Sequence, residues 1–152
     1  ASFDRRHDEH AERFALPDEP TKLDLPDVPA LGDAGYEVVR EDTLGELEMS
    51  VYFGQAGPLE DAKRAAAGWD GDRIRVYRHA EAASAVVWLS VWDSEPDAQQ
   101  AQVAAEFVLR SGDSGVRARS AVYRQGSRVL VLRDLPTALR DAARERLLPP
   151  GR

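Results

Sequence analysis

The fold is decided in residues 65–98, where the sequence reads AAAGWDGDRIRVYRHAEAASAVVWLSVWDSEPDA. The stretch begins with a helix that stops at Gly68, a residue type that is common just after a helix end. Alternation of apolar and polar side chains then predicts two neighbouring strands, at residues 73–78 and 84–92. Ser94 predicts the start of the next helix, because its side chain can accept a backbone N–H of the first turn. The stretch therefore supplies a hairpin with a helix on either side.

The chain after this stretch repeats the pattern of two strands and a helix. Strands are predicted at residues 116–124 and 128–133, joined by a short turn at Gln125 and Gly126. Pro136 then opens a final helix, since proline is tolerated in the first helical turn. Two hairpins that each lead into a helix predict an α+β fold. Its sheet would be four-stranded and antiparallel, with the order ββαββα along the chain and helices on one face.

The first half of the chain is predicted to add a short strand and two helices. Residues 36–40 read YEVVR and favour a strand. Thr43 and Glu46 have the spacing of a capping box, which predicts a helix over residues 44–52. A strand is the alternative there, because the segment ends in β-branched and aromatic residues. Residues 59–67 form a clearer helix.

Charge and composition divide the chain into two parts. Its 152 residues are enough for one domain with a hydrophobic core. The first third of the chain, residues 1–49, carries 14 Asp or Glu against five Lys or Arg. We therefore predict an acidic, Pro-containing arm or linker at residues 1–33 and a single α+β domain at residues 34–152. Leu23, Leu25 and Val28 are the apolar side chains expected to pin this arm to the domain surface.

The composition also argues against several classes of protein. An acidic first third disfavours general nucleic-acid binding, which needs concentrated positive charge. No apolar run approaches the roughly 18 residues that cross a bilayer. Without cysteine, the chain has no disulfide, no thiol catalysis and no thiolate metal site. The sequence starts at Ala1 rather than at Met, so we expect a processed protein or a domain of a longer one.

A candidate binding surface lies on the predicted sheet, where strand alternation groups arginine and aromatic side chains. These residues are Arg73, Arg75 and Tyr77 on the first strand, Trp88 and Trp92 on the second, and Arg117, Arg119 and Tyr123 on the third. If these residues share one face, their planar guanidinium groups and aromatic rings form a binding surface for an anionic ligand, a peptide or another domain. The alternative is that helices or the arm cover the tryptophans, which leaves the arginines as a solvated rim.

Two groups of residues have side chains that could bind a metal ion. His7 and His10 have helical i, i+3 spacing, but it is not the H-E-x-x-H spacing of zinc peptidases, and they lie in the most polar part of the chain. Asp70 and Asp72 in W-D-G-D offer oxygen ligands, but a calcium loop needs about six or more of them. We read W-D-G-D as a turn. The prediction is therefore that the chain binds no metal and no cofactor.

The sequence contains no recognisable catalytic arrangement. No serine lies in G-x-S-x-G, and no Gly-rich phosphate loop is present. His79 is the one histidine outside the arm, and it falls in a hairpin turn where a histidine is usually just exposed. We therefore predict that this chain is not an enzyme.

Three segments carry a resemblance to a known group of proteins. They are T-L-G-E-L at residues 43–47, A-A-A-G-W-D-G-D-R at 65–73 and V-V-W-L-S-V-W-D-S at 86–94. In this order they resemble the C-terminal accessory region of uncharacterised bacterial zinc-metallopeptidase-like proteins of the envelope or of secreted type. The resemblance covers residues 43–133, and H-D-E-H-A-E-R-F at 7–14 is similar to the segment that leads into that region. It implies an accessory domain beside a peptidase-like domain. The zinc motif is absent from this chain, so no catalytic residue carries over.

The leading functional expectation is a non-catalytic accessory or binding module of a bacterial envelope or secreted protein. It would position a partner domain, or bind a peptide or anionic ligand on the Arg/aromatic sheet face. One alternative is a small-molecule or lipid-binding domain with a pocket between sheet and helices. Another is the C-terminal portion of a metallopeptidase-like enzyme whose active site is elsewhere. The expected partner is a protein or peptide, including the chain's own upstream domain, and not nucleic acid. An extracellular or periplasmic location is expected, with the cytoplasm left open.

Overall fold

The α+β fold predicted from the sequence is confirmed in the computed structural model, which describes residues 19–150. The helices in this part of the chain are α1 (Pro29–Asp33), α2 (Gly45–Phe53), α3 (Leu59–Ala66), α4 (Glu95–Arg110), α5 (Ser114–Ala118) and α6 (Thr137–Leu147). The strands are β1 (Glu37–Asp42), β2 (Trp69–Arg78), β3 (Ala85–Trp92), β4 (Ala121–Gln125) and β5 (Arg128–Arg133). Helices pack against one antiparallel sheet formed by these strands.

The sheet has five strands rather than four, in the order β1-β2-β3-β5-β4. The extra strand is β1, which confirms the short strand expected at residues 36–40. It pairs with β2 through a register shift between Val38 and Arg40. Four of its six residues are charged. Charge and a bulge both oppose the addition of another strand to an exposed edge, so β1 is a protected edge.

The strand predicted at residues 116–124 is wrong in its first half. Residues Ser114–Ala118 form α5, and β4 begins at Ala121. The reason is Asp113, whose side chain accepts the backbone N–H of Val116 and starts a helix. This correction removes Arg117 and Arg119 from the sheet.

The prediction of helices on one face is also wrong, because both faces of the sheet are covered. Helices α2, α3 and α4 cover the face that carries Trp88 and Val131. The arm from residue 23, α1 and α6 cover the face that carries Leu89 and Leu132. The sequence signal is the nearly continuous apolar run AVVWLSVW of β3, which is typical of a strand buried on both sides.

The described part of the predicted arm belongs to the hydrophobic core. Leu25, Val28 and Leu31 are buried against the sheet. This confirms that Leu25 and Val28 pin the arm. No helix among residues 19–150 is long and apolar enough to cross a membrane.

Candidate functional site

The predicted Arg/aromatic face is not a single face. In the β2–β3 ladder, Trp88 lies opposite Ile74, whereas Val87 lies opposite Arg75. Directly opposed residues share a face. Arg73, Arg75 and Tyr77 therefore lie under the arm, and Trp88 and Trp92 lie on the opposite face. The expectation of a common face is wrong. Alternation shows which residues of one strand share a face, but the pairing register decides which residues of the next strand lie on that same face.

The two tryptophans are buried under helix α2. Trp88 is 5% exposed and Trp92 is 2% exposed. The ring of Trp88 meets Tyr52 edge to face at 4.9 Å between centroids, and the ring of Trp92 stacks on Phe53 at 6.3 Å. Helices therefore cover both tryptophans, as the alternative expected, but the arginines do not all form a solvated rim, because Arg75 is buried. A binding role for any of the eight predicted site residues stays a prediction.

Asp72 lies on the sheet face that α2, α3 and α4 cover, and its carboxylate is buried, with 1% of the residue exposed. One carboxylate oxygen accepts the indole N–H of Trp69 at 3.1 Å and the backbone N–H of Gly45 at 2.8 Å. The other accepts the indole N–H of Trp88 at 2.9 Å and the backbone N–H of Leu44 at 3.0 Å. Four donors therefore compensate the cost of burying this group.

The same carboxylate replaces the predicted capping box. The structure gives no side-chain cap from within α2, so Thr43 and Glu46 do not form the expected pair. The N–H groups at the start of α2 instead point at Asp72, and Gly45 adopts a φ of 91° that favours glycine. The three segments of the resemblance, at residues 43–47, 65–73 and 86–94, thus meet around one structural carboxylate.

Arg75 holds the arm on the sheet and is 6% exposed. Its guanidinium donates to the carbonyls of Leu25 at 2.6 Å and Pro26 at 3.3 Å, and to the hydroxyl of Tyr77 at 3.2 Å. Its Nε donates to Glu41 at 3.1 Å. The hydrogen bond from Arg75 holds the pKa of Glu41 below its ordinary value, against the opposing effect of burial. Arg75 is therefore a structural clamp.

Arg73 lies beside this clamp at the end of the same sheet face. Its Nε donates to Glu41 at 3.0 Å, and its Nη1 donates to the hydroxyl of Thr43 at 3.2 Å. A cleft of about 700 Å³ opens between Arg73, Trp69 and the arm at residues 19–25. Of the eight predicted site residues, Arg73 is the one that lines this cleft.

The remaining predicted residues lie apart from one another. Arg117 donates to the last carbonyl of α4 at 3.2 Å. Arg119 pairs with Asp134 at 2.6 Å. Tyr123 shares the arm side of the sheet, and the guanidinium of Arg144 lies 4.5 Å from its ring centroid. Each of these side chains has a partner within the chain.

The metal candidates divide between described and undescribed residues. His7 and His10 lie outside the described residues. Asp70 accepts the hydroxyl of Thr21 at 2.6 Å, and Asp72 is committed to its four N–H donors. Within residues 19–150, no group of three or more His, Asp or Glu side chains could hold a metal ion.

His79 has a structural role that the sequence did not indicate. Its Nδ1 accepts the backbone N–H groups of Glu81 at 3.0 Å and Ala82 at 3.1 Å, so the ring proton is on Nε2. Nε2 therefore donates to the carbonyl of Ala34 at 2.9 Å, and the ring packs on Tyr36. The histidine ties the β2–β3 turn to the arm.

Most of the exposed large apolar side chains in the described part of the chain lie on the helices that cover the Trp88 face of the sheet. Among the large apolar residues that the structure describes as exposed, two lie on β1 and five lie on α2, α3 and α4. We call these five the helical patch: Leu47, Val51, Leu59, Val103 and Phe107. Leu47 is 75% exposed. The sequence signal for this patch is in α2, whose outer face carries Leu47 and Val51 beside the charged Glu46 and Glu48.

A groove of about 250 Å³ lies between α3 and α4 within this patch. Phe53 contributes from α2, Pro58 and Ala62 line the side of α3, and Val103 and Phe107 line the side of α4. At one end the guanidinium of Arg110 lies 5.9 Å from the ring centroid of Phe107. The groove is mainly apolar, with charged residues at its margin.

A family model described as "Domain of unknown function (DUF8575)" matches residues 35–143. The chain belongs to the DUF8575 family. The match does not link the chain to metallopeptidases. Of the resemblance described above, it supports only membership of an uncharacterised domain family. No curated protein and no solved structure shows significant similarity to the chain.

The interior of this DUF8575 domain is closely packed between the sheet and the helices α2 and α4. The space between the sheet and the helices α2 and α4 is a cavity of about 10 Å³. That volume is at or below what one water molecule needs. Beside it, the hydroxyl of Tyr52 is buried and has no hydrogen-bond partner in the described part of the chain. Burial raises the pKa of Tyr52 to about 12.

Proposed function

We propose that this DUF8575 domain is a non-catalytic protein-binding module that docks its partner on the helical patch. The observation that supports the proposal is the one-sided exposure of Leu47, Val51, Leu59, Val103 and Phe107. These side chains lie on helices that pack side by side, and apolar side chains gathered on one surface favour an interaction site. Burying one such side chain fully stabilises a complex by about 1.5–3 kcal/mol. The patch is therefore a better candidate surface than the sheet, both faces of which are covered.

Helix α2 gives the strongest local argument. Met49 and Phe53 point into the core, while Leu47 and Val51 on the other side are exposed. Glu46 and Glu48 share this exposed side, and exposed apolar side chains with a charged rim are typical of a protein contact. In this proposal, the bound partner buries Leu47 and Val51.

Site-specific photocrosslinking in the cells that make the protein tests this function. A photoreactive amino acid replaces Val103 in the patch, and a matched protein carries it at Val39, which is 51% exposed on β1. We expect the Val103 position to capture one discrete partner that the Val39 position does not capture. Identical patterns at both positions, or no crosslink from Val103, would reject the docking surface.

The identity of the partner is a finer proposal, carried by the resemblance at residues 43–133. We propose a zinc-peptidase-like domain of an envelope or secreted protein, with this domain as its accessory module. Mass spectrometry of the crosslinked partner decides this point. A captured protein of another class, or one confined to the cytoplasm, would exclude it while leaving the docking function intact.

A second candidate function is small-ligand binding in the cleft beside Arg73. Its volume of about 700 Å³ lies within the range of small-molecule sites, and Leu23 and Trp69 add apolar walls. NMR screening of a fragment library against the whole chain tests it. We expect fragments to shift the indole N–H signal of Trp69 and the Nε–H signal of Arg73. A library without effect on either signal would remove this candidate.

A further inference from the structure

The shape of the α3–α4 groove restricts what can occupy it. Its volume of about 250 Å³ is below the range of about 300–1,000 Å³ typical of small-molecule pockets. The groove instead has room for a few apolar side chains. An anchor of this size is what a protein segment supplies when it docks by burying part of its surface.

The walls of the groove favour a helix as that segment. Ala62 and Ala65 line it from α3, and Ala104 lines it from α4. Ala62 and Ala65 are buried, so they form the floor of the groove, and the ridges of a helix pack into the grooves of its neighbours. Val103 and Phe107 stand one turn apart on the rim. They are placed to contact the apolar stripe of such a helix.

The charge around the groove restricts the partner further. Helices α2, α3 and α4 carry seven Asp or Glu and three Lys or Arg. One of the three bases, Arg64, is already paired with Asp61 at 2.6 Å, which removes one charge of each sign from the count. Another, Arg110, lies over the ring of Phe107. The excess negative charge favours a partner that carries Lys or Arg beside its apolar stripe.

Resting on the proposed function, we infer that the α3–α4 groove binds an amphipathic helix with basic flanks. Apolar side chains at i, i+3 or i+4, and i+7 of the partner enter the groove between Val103, Phe107 and Ala62. Its basic side chains face the exposed carboxylates of the three helices, including Glu60. The apolar stripe gives affinity, and the flanks give orientation and selectivity.

Two labelled peptides test the inference against the whole chain. Both are designed helices with one leucine stripe; one has lysine flanks and the other has glutamate flanks. Binding is followed by fluorescence anisotropy. We expect the lysine peptide to bind at least about tenfold more tightly, with a difference that shrinks at high salt. Equal binding, tighter binding of the glutamate peptide, or no binding of either would overturn the inference.

Variants of the protein locate the binding surface. Val103→Ser and Phe107→Ser are each expected to weaken binding of the lysine peptide about tenfold. The matched control is Val39→Ser, which removes an equally exposed side chain from β1 and is expected to leave binding unchanged. All three sites are exposed, and urea unfolding checks that each variant is folded. A loss in Val39→Ser equal to that in the groove variants would place the peptide elsewhere and refute the inference.

The two proposals fail in distinguishable ways. A partner crosslinked at Val103 that docks through a strand or an acidic helix would overturn the inference and leave the docking function standing. An absence of crosslinks at Val103 would reject the docking function itself.

Discussion

Trp88 donates its indole N–H to Asp72, 16 residues earlier in the sequence, over a distance of 2.9 Å. The bond crosses from β3 to β2 beneath α2. Because the same carboxylate also binds Trp69 and the first N–H groups of α2, one buried acid connects a hairpin to a helix. A polar group buried in such a place is stable only while its hydrogen bonds are complete.

We expect Asp72→Asn to lower the free energy of unfolding by about 2–4 kcal/mol. The amide keeps the shape but replaces an acceptor oxygen with a donor that faces N–H groups. Urea denaturation measures the change. Asp70→Asn is the matched control in the same W-D-G-D motif, and its exposed bond to Thr21 predicts a loss below about 1 kcal/mol. Equal losses in the two variants would contradict the structural role of Asp72.

Glu41 predicts an acid-dependent loss of stability. Hydrogen bonds from Arg75 and Arg73 lower its pKa below the ordinary value of 4.5. A depressed pKa stabilises the folded state above the pKa of the unfolded chain, and this contribution is lost as pH falls through the folded-state pKa. The stability difference between wild type and Glu41→Gln should therefore be full at neutral pH and shrink below about pH 4.5. A difference that is constant from neutral to acidic pH would show that the carboxylate charge contributes nothing.

The hydroxyl of Tyr52 is predicted to oppose folding. It is buried with no partner in the described part of the chain, so Tyr52→Phe should raise the free energy of unfolding by about 1 kcal/mol. Tyr77→Phe is the contrasting variant, because that hydroxyl accepts a hydrogen bond from Arg75 at 3.2 Å. It should lower stability by about 1 kcal/mol. Thermal and urea unfolding of both proteins checks the opposite signs, and a shared sign would contradict this assignment.

His79 is predicted to order the β2–β3 turn through its acceptor nitrogen. His79→Phe retains the ring that packs on Tyr36 but removes the bonds to Glu81 and Ala82. We expect a loss of about 1–2 kcal/mol and faster hydrogen exchange at those two amides. The amides of α4, which do not contact this turn, serve as the internal reference. Unchanged exchange at Glu81 and Ala82 would show that the turn does not depend on the ring.

The sequence predicted the elements whose signals are local. Ser94 accepts the N–H of Asp97 as a helix cap, as expected from residue type and spacing. The strands over residues 84–92 and 128–133 followed from apolar patterning. Thr43 and Glu46 also have a local signal, but a more distant residue, Asp72, took over the cap of α2.

The candidate site was not predictable in the same way. Arg75 and Trp88 each occupy a definite face of their strand, yet the β2–β3 register that separates those faces depends on pairing across the whole hairpin. The helical patch depends on how α2 and α4 orient after they pack, which alternation within a helix does not fix. Leu47 and Met49 are both large apolar residues of α2, and the sequence does not distinguish them. Packing buries Met49 and leaves Leu47 exposed.

The arm has a practical consequence for any shortened version of this protein. The family match begins at residue 35, whereas Leu25, Val28 and Leu31 cover one face of the sheet, and Arg75 binds the arm carbonyls. A chain cut at the family boundary would leave Leu89 and Leu132 open to water and a guanidinium without its acceptors. Such a fragment should aggregate on expression, so the smallest autonomous folding unit starts upstream of the segment that the family model matches.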